Sequence, residues 1–131
     1  METKSNDATP LRPDGHRILN DHLVEMNLPQ FIAQIKSEKT WQEGEKNSIT
    51  IFKSDLMKIV LIGLHKNAEL KKHTAQAQIS VQVLEGEVQF SIEEKQLLLT
   101  KGQMISLQPN IPHALYAEKE SFVLLTLASI Q

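Results

Sequence analysis

The chain contains no cysteine. Disulfides, thiol nucleophiles and sulfur-ligated metal are therefore excluded, and a reducing compartment is permitted. Aromatic residues are scarce too, with one tryptophan, one tyrosine and four phenylalanines. Arg12 and Arg17 are the only arginines, and the charge sum of 14 − 16 = −2 leaves no dense basic patch. Neither a nucleic-acid partner nor an anionic membrane surface is expected on that ground. No run approaches the ~18–20 apolar residues of a membrane span. Met1 to Gly15 has no apolar core and mixes acids with its few bases, so it reads neither as a secretory signal nor as a transit peptide. A cytoplasmic location is the expectation. Several catalytic signatures are missing as well. The sequence has no Gly-x-Ser-x-Gly elbow, no phosphate-cradling glycine loop and no His-Glu-x-x-His helix.

What is present is ordinary globular material. Forty per cent apolar and 23% charged residues in a chain of 131 suffice for one continuous core and no second one. Residues 1–15 carry Pro10, Pro13 and Gly15 among polar side chains and read as a flexible arm. Residues 16–45 read as a strand and helix extension. From Ile18 to Leu28 the signal is mixed: Ile18, Leu19, His22, Leu23 and Met26 fit a helical face. Val24, Met26 and Leu28, however, alternate with polar residues, which favours a strand there, and Pro29 then opens a helix. In that helix Phe31, Ile32 and Ile35 share one face while Lys36, Glu38 and Lys39 face away.

From residue 46 to 131 the texture is all-β. Ile49–Phe52, Leu56–Leu64, Ile79–Leu84, Val88–Ile92, Gln96–Leu99, Met104–Leu107, His113–Ala117 and Phe122–Leu127 are short β-favouring runs divided by turn residues. Eight short strands at close spacing point to an antiparallel sandwich, jelly roll or barrel. Leu56–Leu64 is apolar at almost every position except Lys58. Such a strand is covered on both faces, either by the N-terminal helix or by a second subunit. The surplus apolar surface of this run and of Phe122–Leu127 predicts a homodimer.

Two stretches carry the candidate chemistry: His73 to Val88 and Lys101 to Ala117. In their spacing the chain resembles the cupin superfamily of small jelly-roll barrels, over roughly residues 49–127. Counting back from Gly86, the first cupin motif places its glutamate at Ile79, its two histidines at His73 and Ala75, and its first glycine at Asn67. The second motif falls on Gly102, Gln108, Asn110, His113 and Ala117, without an insertion. Both missing glycines are replaced by asparagine, the non-glycine residue that best tolerates left-handed backbone. The resemblance implies a double-stranded β-helix, that is, a cupin jelly-roll barrel with a short N-terminal helical segment.

The resemblance also implies a ligand set that this chain has lost in part. Cupins hold a divalent metal with three histidines and a carboxylate, of which only His73 and His113 remain. Ala75 and Ile79 cannot ligate, so at most one divalent transition metal (Zn, Ni, Fe or Mn) is in question as cofactor. Alternation places 73, 75, 79, 81 and 83 on the inward side of the barrel. Gln78 lies beside the glutamate position, where its amide could contact a ligand or sit exposed at a strand end. His65 belongs to a turn, and His16 and His22 to the N-terminal segment. Gln82 falls on the outward parity. Trp41 either covers a barrel mouth or dimer seam or simply packs. Lys71 and Lys72 could attract an anion, but a solvated strand end is the better reading. Glu93 and Glu94 fall in a hairpin turn and make no acid–base pair.

Two functional readings follow. In the first, a non-catalytic barrel binds or senses a small organic molecule through His73, His113 and Gln78 in an apolar pocket. In the second, His73 and His113 hold a metal for a dioxygenase, isomerase or decarboxylase type of enzyme.

Overall fold

The structure is a computed structural model that describes Lys4–Ser5 and residues 18–130. Of the arm expected over residues 1–15, only Lys4–Ser5 (β1) is described, and it pairs antiparallel with Ile18–Asn20 (β2). The remainder of that arm, and His16, lie outside the described residues. Of the strand expected within Ile18–Leu28, Ile18–Asn20 forms and Val24–Leu28 does not. Leu23 beside it is 78% exposed, and no strand pairs with this stretch. Instead the Asn27 side chain accepts a hydrogen bond from the Gln30 backbone N–H at 3.1 Å and caps helix α1, Leu28–Ser37. Pro29 then occupies the first turn, where its missing N–H costs nothing. Glu38 ends α1 and opens the short helix α2, Lys39–Glu43.

Nine strands follow, all paired antiparallel. They are β3 Lys46–Lys53, β4 Met57–Leu64, β5 Glu69–His73, β6 Ala77–Glu85, β7 Glu87–Ser91, β8 Gln96–Thr100, β9 Met104–Leu107, β10 His113–Ala117 and β11 Ser121–Ser129. One sheet runs β3-β4-β11-β6-β9 and the other β5-β10-β7-β8. Their inner faces share one core, to which Ile62, Val81, Val83 and Val123 come from the first sheet and Val88, Phe90, Leu99 and Leu115 from the second. Period-two alternation builds this core: Ala77, Ile79, Val81 and Val83 of β6 are buried while Gln78 between them is exposed. Strand β5 escaped the sequence reading because its ELKKH offers no apolar alternation. It is an edge strand, and its lysines protect that edge from further pairing.

The two-faced strand β4 is explained within the chain. Ile62 and Leu64 point into the barrel, whereas Leu61 faces outward into a second cluster with Ile35, Trp41, Ile49, Ile51 and Phe122. Helices α1 and α2 therefore cover the outer face of β3, β4 and β11, and the apolar surface assigned to a helix or a subunit is taken by the helices. Gly63 lets them approach: a Cβ there would lie 2.7 Å from the Phe122 ring and 3.1 Å from both Ile35 and Trp41. Asn47, itself buried, donates its amide to Glu38 at 2.8 Å and to the Ile35 carbonyl at 3.3 Å, tying the helical layer to β3. Toward β6 and β9 the cover runs out. Leu124 is half-buried and Met104 on the edge strand is 54% exposed.

Candidate functional site

The turns that position the histidines adopt the conformations their residues favour. Asn67 (φ 75°) and Asn110 (φ 64°) are both left-handed, as the replacement of glycine by asparagine requires. Asn110 leads through Ile111 and Pro112 to His113, the first residue of β10. Strand β5 ends at His73, which stands opposite His113 in the antiparallel register. The two rings lie 4.4 Å apart between centroids and are tilted by 56°. His113 is buried and stacks on Phe90 at 5.8 Å, while His73 is exposed at the mouth.

Each ring is tied back to its own segment in the same way. His73 Nδ1 donates to the Lys71 carbonyl at 2.7 Å, and His113 Nδ1 donates to the Ile111 carbonyl at 2.8 Å. A carbonyl oxygen can only accept, so Nδ1 carries the proton in both rings. In the neutral form each Nε2 then keeps a free lone pair, and neither has a hydrogen-bonding partner among the described residues. The surrounding wall is otherwise apolar, with Ile79, Val81, Leu115, Val123 and Leu125 among its residues. Among the described residues, the pair are the only polar side chains lining this space.

The space itself is small. The cavity measures about 30 Å³, far below the ~300–1,000 Å³ of small-molecule sites. Ile79, 3% exposed, fills the position at which the cupin motif carries its carboxylate. The substitution therefore removes a ligand and occupies room at once.

The donor set does not fit the divalent metal of the family motif. Ala75, half-buried, offers only its backbone, and its carbonyl accepts from the Asn110 N–H at 2.9 Å. Among the described residues no group of three or more His, Asp or Glu side chains comes together. Two imidazoles and an aliphatic wall fall short of the three protein ligands that even an open zinc site uses.

Other candidates lie elsewhere. Gln78 is exposed on β6, between two inward-facing residues, and does not line the cavity. Its position next to the motif glutamate put it on the opposite face of the strand. His65 is not a solvated turn residue: its Nε2 donates to the Trp41 carbonyl at 2.8 Å and its ring stacks on the indole at 3.6 Å. Glu120 stands 3.8 Å from its Nδ1. Trp41 is thus a packing residue between α2 and the sheet. His22, Lys71 and Lys72 are exposed, as are Glu93 and Glu94 in the β7–β8 hairpin. Sequence reasoning missed Phe90 and Leu70, which line the cavity with the histidines. The parity of Val88 and Phe90 on β7 carried the first signal, whereas nothing in ELKKH marked Leu70 as inward.

Two packed antiparallel sheets with a histidine at the end of β5 and another at the start of β10 define a small cupin barrel. The comparisons with known proteins agree. A cupin superfamily protein from Desulfitobacterium hafniense superposes with a TM-score of 0.71 at 16% identity, over 86% of this chain and 98% of that one. A conserved protein of unknown function from Streptococcus pyogenes gives 0.68 at 24% identity, over 86% and 93% of the two chains. An RmlC-like cupin from Desulfovibrio desulfuricans gives 0.67 at 22% identity, over 82% and 97%. These identities establish the fold alone. No curated protein matches the sequence. The AraC-like ligand binding domain family matches residues 63–128, and the chain belongs to that family.

Proposed function

We propose that the chain binds a small organic molecule at the open end of the barrel, with a hydrogen-bond donor of the ligand placed on His73 and His113. The observation that carries this reading is the pair of imidazoles with protonated Nδ1 atoms and unused Nε2 lone pairs in an otherwise apolar wall. Few polar groups converging in an apolar pocket is the usual pattern of a small-molecule site. Membership of a ligand-binding family supports the same conclusion. The cavity volume sets the mode of binding. About 30 Å³ admits a hydroxyl or amine group, while the body of the ligand lies across the mouth against exposed His73. Neutral imidazoles with free lone pairs favour a donor over a carboxylate.

The test is a titration of the histidine side-chain ¹⁵N resonances at mildly alkaline pH with phenol, benzyl alcohol and benzoate. Phenol and benzyl alcohol are expected to move the Nε2 signals of His73 and His113 more than benzoate does, and His113→Ala is expected to abolish the response. Resonances unmoved by any of the three, or shifts that survive His113→Ala, would sink the proposal. Elemental analysis beside a His73→Ala/His113→Ala double variant addresses the metal-dependent reading. Near-stoichiometric metal present only in the wild type would replace the ligand-binding reading by that one.

A further inference from the structure

A ligand-sized concavity of this molecule lies outside the barrel. It lies between α1, the end of β6 and the turn that joins β8 to β9, and measures about 550 Å³. That falls within the ~300–1,000 Å³ of small-molecule sites. Its walls include Ile32 and Ala33 of α1 and Leu84 of β6, and its rim carries Lys36, Lys101 and Glu85. The groove exists because the helical layer stops short. α1 covers β3, β4 and β11, and half-buried Leu84 packs at the margin of that cover.

Lys36 and Lys101 both line the groove and are exposed. Lys36 projects over the Phe122 ring, its Nζ 5.2 Å from the centroid. Lys101 stands in a turn pinned to β6: the Gly102 N–H donates to the Val83 carbonyl at 2.8 Å, and the Val83 N–H donates to the Gln103 carbonyl at 2.9 Å. Gly102 has φ +88°, a backbone conformation that glycine adopts without strain. Neither lysine forms an ion pair among the described residues. Two ammoniums against one carboxylate leave the rim with an excess of positive charge.

We propose that this groove is a second binding site, for a small amphiphilic anion: an aliphatic or aromatic body against Ile32, Ala33 and Leu84, with its carboxylate near Lys36 and Lys101. Size argues against a folded partner, since a standard protein interface takes about 800 Å² and 20–30 residues from each side, and this groove is lined by eight. Charge argues against a neutral ligand, because two lysines without an ion-pair partner among the described residues line apolar walls. The site is independent of the histidine pair, which lies at the end of β5 and the start of β10.

Octanoate below its micelle concentration is the probe, with its methyl ester as the neutral control. Amide shifts measured by NMR are expected at Ile32, Ala33, Leu84 and Lys101. The ester is expected to bind roughly five- to tenfold more weakly than octanoate, as is octanoate to the Lys36→Gln/Lys101→Gln variant. Ala33→Trp, which places an indole in the groove at an exposed helix position, is expected to abolish binding with the melting temperature preserved. His113→Ala is expected to leave it unchanged. Equal affinity for acid and ester, unaltered affinity in the lysine variant, or shifts confined to the barrel mouth would each overturn the proposal. So would a failure of octanoate to bind where an acidic amphipathic peptide does.

Discussion

The barrel mouth holds converging polar groups in almost no volume, and the groove beside α1 has ample volume with its charges only at the rim. In the mouth, His73 and His113 are oriented by backbone carbonyls, but Ile79 and its neighbours fill the space a ligand would enter. Beside α1 the walls are aliphatic and the lysines have no ion-pair partner among the described residues, yet nothing there fixes an orientation as firmly. The difference has a common origin in the sheet. Strand β6 sends Ile79, Val81 and Val83 inward to close the lumen, and at its far end presents Leu84 outward to the groove. One strand therefore shapes both sites, on its two faces.

Removing Trp41 should separate the two regions most sharply. The indole is buried against Phe122 and stacks on His65. Trp41→Ala is expected to cost about 3–5 kcal/mol in chemical denaturation and to loosen the layer that forms one wall of the groove. Octanoate binding should weaken, while the histidine pair keeps its response to phenol. Loss of both together would mean that the helical layer and the barrel mouth are one cooperative unit.

Ile79→Ala attacks the opposite region. A large-to-small change at this inward position is expected to cost about 2–5 kcal/mol. It should also enlarge the lumen beside the histidines, so that phenol binds more tightly and stabilises the variant more than it stabilises wild type. Measuring the melting temperature of both proteins with and without phenol checks this. Equal stabilisation would show that Ile79 does not limit the space.

The smallest effect is expected at the start of the helix. Asn27→Ala removes the side-chain acceptor for the Gln30 N–H and should cost about 1 kcal/mol. Hydrogen exchange should show faster opening in the first turn of α1 than in β6. If the change is distributed evenly, α1 is not a locally frayed wall of the groove but part of the global unit.

Much of the barrel was legible in the order of residues. Turn chemistry and alternation located eight strands, among them Met104–Leu107 and His113–Ala117 with their observed boundaries. Asn67 and Asn110 announced left-handed turns by residue type, since few other side chains are tolerated there. Strand β5 was not legible, because an edge strand of lysines has no apolar period to read. The stretch before α1 was misread for a different reason. Alternation in Val24–Leu28 is a local pattern that a strand must confirm by pairing, and here Val24–Met26 take no regular structure while Asn27 caps the helix that begins at Leu28. Gln78 shows the cost of a one-residue offset: proximity in sequence to an inward position is, on a strand, a place on the other face.

By itself the sequence determined the strand periodicity, the turns and the pair of histidines at a fixed separation, since these depend on steric preferences of a few neighbouring residues. It also determined what chemistry was missing, because Ala75 and Ile79 have no donor atoms in any fold. Only the tertiary structure decided that β4 is covered by α1 and α2, that both imidazoles turn Nδ1 to a backbone carbonyl, and that the lumen holds about 30 Å³ while a groove of about 550 Å³ opens outside it. Volume and hydrogen-bond partners are properties of residues distant in the chain, and they exist only once packing has brought those residues together.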